Sequence, residues 1–171
     1  FVVINADDFY GQDAFTSIAD FFRKDTIGSH AMVGYTLKNV LSEHGSVSRG
    51  VGEMDKDGYL KSVVERTTIV VENGRIISRE RNGDVELSPE APTSMNFWGF
   101  YPNIFDLAAE MFDDFVKNNH QNIKAEFFIP LIVNDMIHHE KGKVKVLGGG
   151  RIWFGVTYKE DKDAVSKKIK A

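Results

Sequence analysis

The chain has 171 residues, of which 42% are hydrophobic and 27% are charged, as in ordinary globular proteins. It contains no cysteine, which excludes disulfides, thiolate zinc sites and cysteine nucleophiles. A net charge of -4 argues against a nucleic-acid partner with a broad binding surface, although it allows one nucleotide in a cleft. No apolar run is long enough to span a membrane and no signal peptide is visible, so we expect a cytoplasmic protein without a membrane partner.

The first eleven residues combine an apolar run with two carboxylates. The run that begins at Phe1 predicts a buried strand, and Asp7 and Asp8 follow where that strand ends. Open α/β sheets bind ligands at the carboxyl ends of their strands, and Mg²⁺ prefers carboxylate and phosphate oxygens. The same two aspartates also suit the N-cap of the helix that follows. The local pattern therefore leaves a metal site and a helix cap equally open.

The next segments predict helix, strand and hairpin in turn. Apolar residues at helical spacing indicate a helix from Gly11 to about Lys24, and a buried strand follows at 30–37. This order predicts a parallel strand pair with a right-handed crossover. An Asp-Gly turn at 55–58 predicts a hairpin, with shorter polar strands continuing to Leu87. We therefore expect a β-rich excursion at about 46–90.

The second half of the chain predicts a return to the main sheet. The expected elements are a strand at 93–101, a helix over 102–117, a helix within 128–139 with Pro130 in its first turn, a strand at 143–147, a glycine turn at 148–150, a strand at 152–158 and a closing helix at 161–170. No internal repeat or low-complexity linker interrupts the chain, so we expect a single domain over residues 1–171.

Six short blocks, in order along nearly the whole chain, carry a family resemblance. They are Ala6–Gly11, Ser48–Asp55, Val63–Arg66, Met95–Phe100, Ala125–Pro130 and Trp153–Thr157. Together they resemble the motifs of sugar-1-phosphate nucleotidyltransferases, the NDP-sugar pyrophosphorylases. The resemblance implies an α/β fold with a Rossmann-like nucleotidyltransferase sheet and helices on both faces. It also implies that a sugar 1-phosphate, or a similar phosphate monoester, reacts with a nucleoside triphosphate and Mg²⁺ to give an NDP-sugar and pyrophosphate.

The resemblance also assigns individual roles. Asp7 matches the magnesium-binding aspartate, and Arg66 stands where the family often has a lysine near the sugar phosphate, so these two are the expected catalytic residues. Gly50 matches a glycine whose backbone contacts the sugar hydroxyls, where a side chain would fill the pocket. Glu65 and Asn96 match residues that hydrogen-bond the sugar hydroxyls.

Two departures from the family pattern qualify this expectation. The glycine-rich loop that cradles the triphosphate would lie upstream of Phe1, so we expect a fragment whose N-terminal strands are missing and whose turnover is low or absent. Gly155 stands where the family has a second metal-binding aspartate. Asp161 follows a few residues later and is the expected replacement, although Thr157 fits an alternative alignment.

Two other functions compete with the nucleotidyltransferase. An NDP-sugar-dependent glycosyltransferase also places aspartates at a strand end, but with an intervening residue that Asp7 and Asp8 lack. A non-catalytic nucleotide-sugar-binding domain would account for the absent loop and for Gly155. The sequence names neither the base nor the sugar, and it is compatible with a homo-oligomer.

Overall fold

In a computed structural model of the chain, the structure describes residues 1–25, 28–150, 152–155 and 165–166. The helices and longer strands of these residues are β1 (Val2–Val3), α1 (Gln12–Lys24), β2 (His30–Thr36), β3 (Val47–Met54), β4 (Leu60–Glu72), β5 (Arg75–Ser78), β6 (Val85–Leu87), β7 (Pro92–Gly99), α2 (Ile104–Asn119), α3 (Ile129–His138) and β8 (Val144–Gly150). A short 3₁₀ helix follows β2 at Leu37–Asn39.

The strands form one mostly antiparallel sheet. Its order is β6-β5-β4-β3-β7-β2-β8, with β1 beside the end of β7. Only β2 and β8 pair in parallel among the described strands. Hairpins join β3 through β6, and a hairpin connection produces antiparallel neighbours. The predicted α/β class is therefore confirmed, whereas a parallel, Rossmann-like sheet is not.

The predicted pairing of the first two strands is wrong. β1 and β2 both pair with β7 in antiparallel fashion, so they run in the same direction but do not touch. Trp98 of β7 pairs with Val3 on one side and with Met32 on the other, so β7 separates the two strands. Strand pairing between distant segments is not encoded in local periodicity, and for that reason the inserted strand was not foreseen.

The opening strand is shorter and more exposed than expected. Regular pairing is limited to two residues, and the side chains of Phe1, Val2 and Ile4 remain exposed. The segment then turns at Ala6 and Asp7 before Phe9 pairs with Phe154. Asp7 therefore lies in a turn that follows β1 and not at the tip of a buried strand.

Helices cover both faces of the sheet, as predicted. Ala14 and Ile18, one turn apart on α1, pack with Ala31 and Val33 of β2. Met32, which lies between those two residues, packs on the opposite face among residues of α2 and α3. Successive side chains of a strand point to opposite faces, so β2 belongs to both cores. None of the described helices has the length and apolar character needed to cross a bilayer.

Most other expected elements are present. The three helices, the Asp-Gly hairpin and the strand now seen as β7 are confirmed, and Pro130 lies in the first turn of α3. The glycine turn at 148–150 is wrong because these residues continue β8 alongside β2. Of the closing strand and helix, Phe154 is described in a single bridge, and Val165 and Ser166 are helical. The rest of those two elements lies outside the described residues.

Candidate functional site

One cavity gathers four of the sequence-predicted residues from four separate segments. It has a volume of about 170 Å³, and its walls include Asp7 after β1, Gly50 on β3, Glu65 on β4 and Asn96 on β7. The remaining wall residues are Asn5, Asp8, Ser48, Arg49, Ser94, Met95, Trp153 and Gly155. Drug-sized ligands occupy pockets of roughly 300–1,000 Å³, so this cavity fits one small polar group or part of a larger ligand.

Gly50 and Glu65 face each other across the β3–β4 pair. A Cβ atom added at Gly50 would lie 3.4 Å from Glu65 Oε2, 3.2 Å from Ser94 Cβ and 3.3 Å from Pro130 Cγ. These distances leave almost no space for a side chain. The glycine thus keeps the carboxylate of Glu65 accessible from the cavity.

Burial raises the pKa of Glu65 to about 6, because the charged carboxylate loses water that the protein does not fully replace. The positive charge of Arg49 opposes this rise in pKa, and the negative charge of Glu126 adds to it. Glu65 therefore changes its protonation state at weakly acidic pH. Its ability to accept two hydrogen bonds at each oxygen depends on the deprotonated form.

A bulge in β7 directs Asn96 into the cavity. β2 pairs Met32 with Trp98 and Gly34 with Ser94, so three residues of β7 oppose a single residue of β2. Asn96, the middle of the three, has a φ of 58°, in the left-handed region that asparagine tolerates better than most residues. Its backbone N–H donates to Ser94 Oγ at 3.0 Å. Bulges commonly redirect a side chain next to a functional site.

Asp8 is held in place by its neighbours and does not cap α1. Its Oδ2 accepts a hydrogen bond from Asn5 Nδ2 at 2.9 Å and lies 3.2 Å from the Tyr10 hydroxyl. The N-cap position of α1 is Gly11, and no side chain caps that end. The helix-cap interpretation is therefore wrong. Asp8 instead contributes a second carboxylate to the cavity wall next to Asp7.

The buried Tyr10 side chain stabilises the turn that carries Asp7 and Asp8. Its hydroxyl donates to the Met95 carbonyl at 2.7 Å and accepts from the Asn5 backbone N–H at 3.1 Å. Burial is the main cause that raises the pKa of Tyr10, so the hydroxyl stays protonated and can donate. One buried side chain thus connects the turn that carries Asp7 and Asp8 to the bulge in β7.

Arg66 lies apart from the other predicted residues. It does not line the cavity, and its Nη1 donates to Glu80 Oε1 at 2.9 Å. Hydrogen bonds from Ser78 and, to a smaller extent, from Arg66 lower the pKa of Glu80. The Arg66–Glu80 pair therefore stays charged. The role of Arg66 near a sugar phosphate remains a prediction, but its side chain is not positioned in the cavity.

Arg49 is the cation that the sequence reasoning missed. Its Nε donates to the Val40 carbonyl at 2.9 Å and its Nη1 to the Ser48 carbonyl at 2.8 Å. The guanidinium lies 5.1 Å from the centre of the Trp153 ring, at a distance typical of a cation–π contact. Its position directly before Gly50 in the sequence was the available signal. Arg49 is the only arginine or lysine among the described wall residues.

Gly155 shows why this position holds no carboxylate. An added Cβ would lie 2.6 Å from Asp8 Oδ1 and would also overlap the Trp153 ring, so any side chain would displace both residues. Asp8 thus occupies the space that a side chain at Gly155 would need. Asp161, the predicted replacement ligand, lies outside the described residues.

The described part of the chain contains no group of three histidine, cysteine or acidic side chains arranged for a metal ion. Asp7 and Asp8 remain as a pair on the cavity wall. Mg²⁺ commonly binds through one or two carboxylates, with water and substrate phosphates completing its coordination. The residues present therefore fit magnesium better than a metal that needs a full set of protein ligands.

The cavity as a whole suits a polar ligand that carries both hydroxyl and anionic groups. Glu65 and Asn96 offer acceptors and an amide donor, Arg49 offers a positive charge, and Asp7 and Asp8 offer two more carboxylates. Neither models of known protein families nor curated proteins give a match to this chain.

Proposed function

We propose that this chain belongs to a nucleotidyltransferase that joins a sugar 1-phosphate, or a similar phosphate monoester, to a nucleoside triphosphate. The products are an NDP-sugar and pyrophosphate. The observation that carries the proposal is the convergence of Asp7, Gly50, Glu65 and Asn96, from four separate segments, on one cavity. On this proposal the sheet is the central sheet of a nucleotidyltransferase fold.

The sugar binds between Glu65 and Asn96. The Glu65 carboxylate accepts hydrogen bonds from sugar hydroxyls, and the Asn96 side chain can both donate and accept. Gly50 leaves the space that the ring needs, because a Cβ there would lie within 3.4 Å of Glu65 Oε2. A cavity of about 170 Å³ is in keeping with one part of a substrate, the rest of which extends into solvent.

Magnesium is bound by Asp7, with Asp8 as the neighbouring carboxylate. When bound, the ion supplies positive charge that offsets the phosphate charges. The proposal gives Asp8 a role that the sequence assigned to Asp161, and it is supported by the absence of space for a carboxylate at Gly155. Asn5 and Tyr10 keep the Asp8 carboxylate oriented through their contacts with its Oδ2.

The residues act by positioning and by neutralising charge. A phosphate oxygen of the sugar 1-phosphate attacks the α-phosphorus of the triphosphate, and the bond to pyrophosphate breaks. Catalysis of such transfers depends on alignment and electrostatics more than on a covalent enzyme intermediate. Arg49 can grip a phosphate, because guanidinium presents several donors in a rigid plane.

A non-catalytic nucleotide-sugar-binding domain is the second candidate function. It is favoured by Gly155, where the close approach of Asp8 and Trp153 leaves no room for a second metal-binding side chain. Such a domain would use the same cavity to hold a nucleotide-sugar but would release no pyrophosphate.

The test measures binding first and turnover second. Isothermal titration of a panel of sugar 1-phosphates, with and without Mg²⁺, should give binding that Mg²⁺ strengthens and that Glu65→Ala reduces at least about tenfold. Glu86→Ala, at an exposed position on β6, is the matched control. Pyrophosphate release on addition of nucleoside triphosphates supports the enzyme, whereas NDP-sugar binding without release supports the second candidate. A protein that binds none of these compounds would refute both.

A further inference from the structure

Helix α2 carries a second apolar surface beside the one that packs on the core. At about 100° per residue, its inward-facing residues span roughly 100° of the helix circumference. These residues are Ile104, Leu107, Ala108, Met111 and Phe115. Ile104 is buried in the core shared with α3, and Leu107, Ala108 and Met111 pack against it. This arc alone satisfies what a surface helix needs to pack on one core.

A second apolar arc follows directly on the outer side. It consists of Phe105, Ala109, Phe112 and Val116, which lie within about 60° of one another and form the outer face of α2. Phe105 stacks on Phe1 and Phe112 packs on Phe127. All three large side chains nevertheless keep much of their surface in solvent, with Phe105 62% exposed, Phe112 48% and Val116 43%. Large apolar residues scattered singly on a surface are normal, but a continuous row of them usually marks an interaction site.

Acidic side chains border this outer face. Asp106 and Asp113 lie next to it around the helix, and Glu110 lies just beyond them. All three are exposed, and none has an ion-pair partner within the described ranges of the chain. The one lysine of α2, Lys117, pairs with Asp114 at 3.3 Å. With four acidic residues and one lysine on α2, the border carries a net negative charge.

We propose that the outer face of α2 binds a basic amphipathic helix of a partner protein. An amphipathic helix docks its apolar side on such a row, with anchors at i, i+3, i+4 and i+7. Lysine or arginine residues flanking those anchors would meet the acidic border, which steers association and sets the specificity. A second copy of this chain fits less well, because it would bring two acidic borders together.

The surface lies outside the cavity, so this proposal is independent of the nucleotidyltransferase proposal. The probe is a fluorescent peptide of leucine and lysine with its leucines at helical spacing, and the reference peptide has glutamate in place of lysine. Fluorescence anisotropy should show the lysine peptide binding at least about tenfold more tightly than the glutamate peptide. Raising the salt concentration should weaken that binding, since exposed charges are screened.

Variants of the full chain localise the binding. Phe112→Ser should weaken the lysine peptide about tenfold, and Asp106→Lys combined with Asp113→Lys should do the same without removing any apolar anchor. Val71→Ser, which changes a 54% exposed residue on β4, should have no effect. Circular dichroism melting shows whether each variant is folded. If Phe112→Ser fails to fold, the variant that combines Asp106→Lys with Asp113→Lys still tests the proposal.

Three outcomes would overturn the proposal. The first is equal affinity of the protein for the two peptides. The second is an unchanged affinity for the lysine peptide in both Phe112→Ser and the variant that combines Asp106→Lys with Asp113→Lys. The third is a concentration-dependent dimer in sedimentation that Phe112→Ser abolishes, because the occupant of the face would then be a second copy of this chain.

Discussion

Gly50 lies opposite Glu65 across the β3–β4 pair, and a Cβ added to it would come within 3.4 Å of the Glu65 Oε2 atom. The two positions are therefore coupled. The glycine leaves space and the glutamate supplies the polar group that faces that space. This relationship can be tested without knowing the substrate.

Gly50→Ala should impair both packing and binding. The new methyl group would lie 3.2 Å from Ser94 Cβ and 3.3 Å from Pro130 Cγ, so we expect a loss of about 1 to 3 kcal/mol in the free energy of unfolding. Sugar 1-phosphate affinity should fall at least about tenfold. Urea unfolding and titration calorimetry measure the two effects. Gly148→Ala is the control, because nothing lies within 4 Å of its added Cβ.

Asn96 allows backbone and side-chain roles to be separated. Asn96→Gly preserves the left-handed backbone at φ 58° but removes the amide, so stability should change little while binding is lost. Asn96→Ala should lose binding and also about 1 kcal/mol of stability, because alanine disfavours that conformation. Thermal melting and calorimetry of both variants provide the comparison. Equal stability of the two variants would contradict the strain argument.

Glu65 should make stability depend on pH. Its pKa is raised from 4.5 to about 6, so the folded protein binds more protons than the unfolded chain between these values. Stability must therefore fall as pH rises through this window. The loss is at most about 2 kcal/mol, and about 1 kcal/mol once partial solvent exposure is allowed for. In urea unfolding at pH 4 to 7.5, Glu65→Gln should lack this fall and be more stable than the wild type at neutral pH.

Ligand binding should show the opposite pH dependence. The deprotonated Glu65 is the better acceptor for sugar hydroxyls, so affinity should increase as pH rises through about 6. Titration calorimetry at pH 5 and pH 7 provides the measurement. An affinity that does not change, or that falls, over this range would show that Glu65 does not contact the ligand.

Replacing Arg49 and replacing Arg66 should have different effects on ligand affinity. Arg49 lines the cavity, whereas Arg66 lies outside it. Arg49→Met should therefore weaken a sugar 1-phosphate about tenfold and leave the affinity for the free sugar unchanged. Arg66→Met should change neither affinity more than about twofold. The reverse result would restore Arg66 as the phosphate-binding residue.

Local patterns predicted the parts of the fold that depend on neighbours in sequence. The spacing of Ala14 and Ile18 identified α1, and the turn around Gly58, whose φ is 77°, identified the β3–β4 hairpin. The insertion of β7 between β1 and β2 could not be predicted in this way. It depends on the pairing of Trp98 with both Val3 and Met32, residues far apart in the chain.

The candidate site also combines residues that local motifs predicted with a residue whose role depends on distant contacts. Asp7, Gly50, Glu65 and Asn96 were identified because short motifs contain them, and the structure gathers these four in one cavity. Arg49 was missed because its usefulness depends on the Val40 and Ser48 carbonyls and on the Trp153 ring, which orient its guanidinium. The direction of such a side chain is determined by tertiary contacts, which a sequence motif does not record.

The central claim is that this cavity binds a sugar 1-phosphate together with magnesium. Titration calorimetry of the wild type and of Asp7→Asn with a sugar 1-phosphate, at zero and at saturating Mg²⁺, tests it most directly. We predict that Mg²⁺ strengthens binding to the wild type at least about tenfold and does not strengthen binding to Asp7→Asn. Asp113→Asn, at an exposed position on α2, should behave as the wild type does. An equal effect of Mg²⁺ on Asp7→Asn and the wild type would contradict the claim.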